Sequence, residues 1–340
     1  MSLYGREFAM WLRETDYGVP DLTTGAPSSG AFFHPRLESG AFRITAMPEK
    51  IPRQRGNGAA RQFAVHKPRA TCTWQMAGEL HYTEAAHLLP WFATPINSGR
   101  TTPWVTANAD GQLPIGDLAT ASLYYAELPD GETVPVRQVL RGCKVQRWSI
   151  TVSDQSPIAR YSASGVGSVY EPNSDFGFTG YSDAAPDATE FPEPTEASSF
   201  ANDPVMFADL VGGLTIATVR TFVDSLTIEC ENTLDAKYWA SPWVHRSRFV
   251  NRSNTIRPRV LFQDLATDDL SRLRTAADFA ATVAFAKGAK VITLDFESAN
   301  YPDSLDRDYQ YEQDFIRELS IVNQHDVAAG TDLTVTVTLS

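Results

Sequence analysis

Apolar and polar side chains alternate with a period of two along most of the chain. In 71–80, Cys72, Trp74, Met76 and Leu80 fall on one side and Thr73, Gln75 and Glu79 on the other. Leu226, Ile228 and Cys230 alternate with Thr227, Glu229 and Glu231, and Leu333, Val335, Val337 and Leu339 with Thr334, Thr336 and Thr338. Successive side chains of a strand point to opposite faces, so this pattern predicts half-buried β-strands. Two stretches have helical spacing instead. The first is 83–92, with Thr83 as N-cap and Ala85, Leu88, Leu89 and Phe92 on one side. The second is 267–277, capped by Thr267, with Asp268 and Asp269 in its first turn and Leu270, Leu273 and Ala277 inward. Pro90 is expected to kink or shorten the first helix.

These elements recur in one order. In the first half, a strand at 42–46, a long polar stretch and the strand at 71–80 lead directly into a helix. Strands at 122–128, 142–153 and 159–170 follow. In the second half, a strand at 225–231, a polar stretch and a strand at 256–265 lead into the other helix. Strands at 282–286, 291–296, 315–322 and 333–339 follow. An internal duplication accounts for this order. The predicted fold is mainly β (α+β): two tandem β-sandwich or barrel domains, 1–170 and 205–340, each with one flanking helix. Between them, 171–204 is Pro-rich and acidic, with no Lys or Arg, and reads as a linker or arm. Its Phe176, Phe178, Tyr181 and Phe191 leave two readings open, a segment laid against a neighbour or a disordered one.

Composition narrows the function. With 41 acidic against 29 basic residues, the net charge is -12, which does not favour gripping nucleic acid by counterion release. An acidic chain can still surround DNA without holding it. Cys72, Cys143 and Cys230 are far apart, odd in number and set in apolar stretches, so they read as buried free thiols. The N-terminus lacks the apolar core of a signal peptide, and no run reaches the ~20 apolar residues that span a bilayer. His34, His66, His81, His87, His245 and His325 form no metal-binding spacing, and there is no P-loop or nucleophile elbow. The glycines of Ser164-Gly165-Val166-Gly167-Ser168 lie in a strand pattern and read as a bulge or bend. The reading is of a non-enzyme with no cofactor and no metal.

Two polar stretches stand out, each placed before the strand that leads into a helix. One, 52–61, carries Arg53, Arg55 and Arg61. The other, 239–254, interleaves Trp239, Trp243 and Phe249 with Arg246, Arg248 and Arg252. Aromatic and Arg side chains together anchor protein interfaces. They also suit single-stranded nucleic acid, but the acidic remainder favours a protein partner.

Gly142-Cys143-Lys144-Val145, continuing through 153 into the strand at 159–170, is similar to the middle of siphophage tail tube proteins of the long-chain type. The stretch 205–236, with Asn232 and Leu234 closing a strand, resembles the same family, as do Glu14, Tyr17 and Gly18 near the start. The resemblance implies two tail-tube folds whose curved sheets join neighbours into a ring. It also implies six copies of the fold per ring, hence a trimer of duplicated chains with pseudo-sixfold symmetry. Rings would stack into a tube in the virion tail, assembled in the host cytoplasm. The implied partners are other copies of the chain, a tape-measure protein in the lumen, terminator and distal tail proteins, and double-stranded DNA in passage; no membrane is implied. Within that frame, Glu229 and Glu231 are candidate lumen residues. The candidate inter-ring contacts are Arg53, Arg55, Arg61, Trp239, Trp243, Arg246, Arg248 and Arg252. A single-ring tail component and a carbohydrate-binding β-sandwich adhesin are the alternatives.

Overall fold

The computed structural model describes residues 7–16, 19–27, 31–38, 41–48, 51–53, 64–66, 70–93, 118–127, 136–172, 203–216, 219–221, 223–237, 246–261, 278–301, 316–318, 320–324 and 333–339. The first half contains strands β1 (Glu7–Asp16), β2 (Val19–Pro20), β3 (Leu22–Thr23), β4 (Ala26–Pro27), β5 (Phe32–Phe33), β6 (Arg43–Pro48), β7 (Ile51–Arg53), β8 (Ala64–His66) and β9 (Ala70–Glu79). Helix α1 (Tyr82–Ala93) follows, then β10 (Ala121–Glu127), β11 (Val136–Ser153), β12 (Arg160–Gly167) and β13 (Val169–Pro172). A short 3-10 turn (Phe207–Asp209) opens the second half. It leads to β14 (Leu210–Ile216), β15 (Val219–Thr221), β16 (Val223–Lys237), β17 (Arg246–Leu261), β18 (Phe279–Lys287), β19 (Lys290–Asn300), β20 (Ile316–Glu318), β21 (Ile321–Gln324) and β22 (Leu333–Leu339). The molecule is mainly β, as the alternation predicts.

Strand pairing repeats from one half to the other. In the first, β1 pairs with β10, β10 with β11, β11 with β12 and β13, β12 with β9, and β9 with β6. In the second, β14 pairs with β18, β18 with β19, β19 with β21 and β22, β21 with β17, and β17 with β16. Even the irregularities correspond. The β10–β11 register slips between Ala121 and Leu123, and the β18–β19 register between Phe279 and Ala281. The hairpin made by β6–β7 and β8–β9 slips between Pro48↔Ala70 and Ile51↔His66. That made by β16 and β17 slips between Thr233↔Asn251 and Leu234↔Phe249. A β-bulge changes which face each side chain takes, and the register changes fall at matching places in the two sets of strands.

The two halves meet along a ladder of β11 with β16, from Arg147↔Glu231 to Ser153↔Ser225. Below it the apolar cluster is continuous. Trp74, Trp91 and Trp148 of the first half share it with Ile228, Phe285 and Leu294 of the second. Helix α1 packs against β19 and β22 as well as β11, so it wedges between the halves.

Helix α1 starts one residue before the predicted N-cap, which puts Thr83 inside the first turn, and it runs past Pro90 to Ala93. Proline costs a helix interior about 3 kcal/mol. Packing outweighs that cost here: Trp91 stacks on Trp74 at 4.9 Å, Phe92 on Trp148 at 5.9 Å, and Trp91 Nε1–H donates to the Cys143 carbonyl at 3.2 Å. The predicted second helix, 267–277, lies outside the described residues. The strand expected at 256–265 begins ten residues earlier, at Arg246, so most of the supposed 239–254 loop is a strand. Similarly, β11 begins at Val136 and bends at Gly142, whose φ of 65° favours glycine. Of the Gly165–Gly167 pair, Gly165 is required by close approach, since a Cβ there would sit 1.9 Å from the Lys144 carbonyl oxygen. The bulge opposite lies in β11, between Val145 and Arg147.

Candidate conduit wall and assembly arms

One face of the joined sheet is polar across both halves. The register aligns Arg43, Gln75, Ser164, Arg147, Glu231 and Ser253 in one row across β6, β9, β12, β11, β16 and β17. A second row holds Ala77, Ser162, Ser149, Glu229 and Thr255, and a third Glu79, Arg160, Thr151, Thr227 and Arg257. The intervening residues Trp74, Met76, Trp148, Ile150, Leu226, Ile228 and Ile256 are buried on the other side. The polar face is rich in small hydroxyl side chains, and several of its charges stand in ion pairs.

Glu229 and Glu231, the lumen candidates, both lie on this face, and neither stands as an isolated carboxylate. Glu229 Oε2 is 2.8 Å from Arg257 Nη1, and Glu231 Oε2 is 3.5 Å from Arg147 Nη2. Arg259 lies 3.6 Å from Asp224, and Arg160 lies 3.3 Å from Glu38. Such half-exposed pairs each contribute at most about 1 kcal/mol to stability. Their greater effect is on the field above the sheet, because Arg147, Arg160, Arg257 and Arg259 each have a carboxylate beside them. A phosphate passing over this face meets neither a strong attraction nor a strong repulsion at contact distance.

The inter-ring candidates divide. Arg53 lies on β7, and Arg246 and Arg248 on β17, at the ends of two hairpins that continue past the six-strand rows. Arg252 is tied down, since its Nε donates to Asn232 Oδ1 at 2.9 Å. Arg55, Arg61, Trp239 and Trp243 lie outside the described residues.

Several residues that were not among the candidate site residues hold these parts together. Glu14, 6% exposed, accepts the Ser122 hydroxyl and the Gly142 N–H, both at 2.7 Å, and so fixes the bend of β11. Asp203, from the end of the predicted linker, reaches the start of α1. Its Oδ2 accepts the Thr83 N–H at 3.2 Å, the Thr83 hydroxyl at 2.9 Å and the Lys290 ammonium of the second half at 2.6 Å. Burial pushes the Asp203 carboxyl up, but the hydrogen bonds from Lys290 and Thr83 outweigh it and hold the carboxyl below its ordinary range. The neighbouring His81 Nδ1 accepts the Asp203 N–H at 3.3 Å. Burial, then the charge of Arg36, lowers the His81 pKa and keeps the ring neutral. His87 stacks on Phe33 at 5.3 Å and is pushed down to about 4 by burial and then by Arg13. Both histidines are therefore neutral packing residues at pH 7.

Among the described residues no group of His, Cys, Asp and Glu is arranged to hold a metal, and no helix is long and apolar enough to cross a membrane. The three cysteines are free and buried. No curated protein sequence is significantly similar to the chain. A family model described as phage tail tube protein, however, matches residues 7–340. The β-rich fold, the polar sheet face and that match over nearly the whole chain agree: the chain belongs to the phage tail tube proteins, structural components that self-assemble into the tube of the virion tail.

Proposed function

We propose that the chain is a tandem pair of tail-tube domains, 1–170 and 205–340 joined by 171–204, and that three copies form a ring with pseudo-sixfold symmetry. The observation that carries this reading is the β11–β16 ladder between the halves. Register makes β6 the counterpart of β16, yet among the described residues β6 pairs only with β9. An open strand edge invites pairing with another chain unless something blunts it. Its natural occupant is the second half of the next copy, repeating between chains the join already made within one. Three such steps close a ring of six domains and leave no edge open.

In the ring, the polar face carrying Ser149, Thr151, Ser162, Thr227, Glu229 and Glu231 lines the lumen. Its hydroxyls and paired charges let DNA pass without being held, and before ejection the same lumen houses a tape-measure protein. Stacking uses a heterologous contact, which generates an open filament. The two hairpin arms, with Arg53, Arg55 and Arg61 on one and Trp239, Trp243, Arg246 and Arg248 on the other, supply that contact. Terminator and distal tail proteins complete the two ends.

Negative-stain electron microscopy of the purified protein at rising concentration tests the proposal. The expected result is hollow tubes with three chains per axial repeat and six-fold modulation of the ring. Discrete rings that never stack would instead identify a single-ring tail component. Rings of six chains would refute the trimer.

A further inference from the structure

The β16–β17 hairpin leaves the sheet where β11 stops supporting it. The β11–β16 ladder ends at Arg147↔Glu231, next to the bulge between Val145 and Arg147, while β16 continues to Lys237, paired among the described residues with β17 alone. Two buried polar side chains hold the root of this arm. Asn232 Nδ2 donates to the Val145 carbonyl at 2.9 Å, just past the last rung of the ladder, and its Oδ1 accepts from Arg252. Lys144 Nζ donates to the Ser247 carbonyl on β17 at 2.6 Å. Lys144, Asn232 and Ser247 are each 0% exposed.

We propose that Lys144 and Asn232 are positioning residues for assembly: together they fix the direction in which the hairpin arm projects from the ring. Two anchors on different strands of a hairpin set its angle, where one anchor would leave it free to swing. Burying an ammonium is costly, and an apolar residue of similar volume is often as stable or more so, so stability alone does not account for Lys144. Neither does the fold. The register of β19 on β18 makes Asn300 the counterpart of Lys144, and its amide points to Asp278 Oδ1 at 3.4 Å. The ammonium thus belongs to the seam inside one chain. This inference rests on the reading that the arm docks on the next ring.

The test uses the full chain with spin labels at Val250→Cys and Gln146→Cys, one on the arm and one at its root. Both positions are exposed, whereas the native cysteines are buried. Lys144→Met and Asn232→Leu remove the anchors from different strands. Each is expected to broaden the interlabel distance distribution while lowering the melting temperature of the monomer by only a few degrees, since each leaves one buried carbonyl without its donor. Each should also raise the concentration needed for tube formation by about tenfold or more, because the arm must then be ordered on docking. A distribution as narrow as the parent's in both variants would overturn the proposal. So would a broadened arm with unaltered assembly, provided that deletion of 238–245 abolishes stacking. Should that deletion leave tubes intact, the docking role of the arm fails first, and the role of Lys144 in assembly fails with it. If Lys144→Met melts early, Asn232→Leu alone decides, since it acts on the same arm through Val145.

Discussion

Asp203→Ala removes a carboxylate that three donors share across two halves of the chain. Its Oδ2 caps the first turn of α1 through the Thr83 N–H and hydroxyl, and receives the Lys290 ammonium. Loss of a helix cap costs about 1 kcal/mol. The ion pair adds about 0.5–1 kcal/mol, discounted because the Lys290 side chain is 36% exposed, although that of Asp203 is only 13% exposed. The backbone bonds of the clasp survive the substitution, since the Asp203 carbonyl still accepts from Tyr82 and the Val205 N–H still donates to Leu80. The expected loss is therefore about 2 kcal/mol, which for a chain of this size lowers the melting temperature by roughly 3 °C.

Thermal unfolding followed by circular dichroism reads that shift, and its pH dependence identifies the cause. A carboxyl held below 3.8 contributes stability that is present above that value and disappears as pH falls through its folded pKa. The gap between parent and Asp203→Ala should thus be full at pH 7 and shrink only below pH 4. A double-mutant cycle with Lys290→Met should give a coupling of about 0.5–1 kcal/mol. A melting temperature within a degree of the parent's, or additive single effects, would falsify the three-way clasp.

Other sites give shorter tests. Burial raises the Glu84 carboxyl to about 8, so its folded pKa lies above its unfolded one. Stability is then greatest below about pH 4.5 and is lost as pH rises to 8. Glu84→Gln should match the parent in urea unfolding at pH 4.5 and exceed it by on the order of 4 kcal/mol at pH 9; parallel pH profiles would refute the buried proton. Gly165→Ala places a Cβ against the Lys144 carbonyl and should cost about 3 kcal/mol or more, seen as a fall in soluble yield and melting temperature. Glu229→Lys with Glu231→Lys sets lysines beside Arg257 and Arg147 on the polar face. Assembly should persist while DNA ejection slows, and unchanged ejection would remove this face from the lumen.

Where a strand has a dry side and a wet side, the sequence was readable. β9, the central part of β16, and β22 alternate cleanly because one face lies on the shared core. β17 was legible only from Ile256 onward. Its earlier part belongs to an arm that continues past the six-strand rows, where Asn251 is exposed and Arg252 half-buried against Asn232, so no apolar layer forces an alternation there. The bulge at Val250, 59% exposed, shifts the phase again. β11 lost its first six residues in the reading for a related reason. Leu140, Cys143, Lys144 and Val145 are all buried across a bend and a bulge, so the period of two breaks where the strand crosses between sheets.

The polar positions were the hardest to place, and the reason is physical. Lys144, Asn232 and Glu14 lie in stretches whose local pattern carries the family resemblance, but a buried lysine reads in sequence as a solvent-facing one. Its role appears only when Ser247, 103 positions away, supplies the carbonyl. Asp203 closes a linker by composition and caps a helix 120 residues earlier by geometry. Charge sums mislead in the same way. A net charge of -12 suggests a wall that repels DNA, yet on the polar face Glu229 and Glu231 are matched by Arg257 and Arg147. The excess acid must then lie elsewhere, and 171–204, with its carboxylates and no Lys or Arg, holds a large share of it. A conduit needs its wall to be indifferent to phosphate at contact range, which paired charges and hydroxyls achieve without a dense field that would also repel a protein occupant of the lumen.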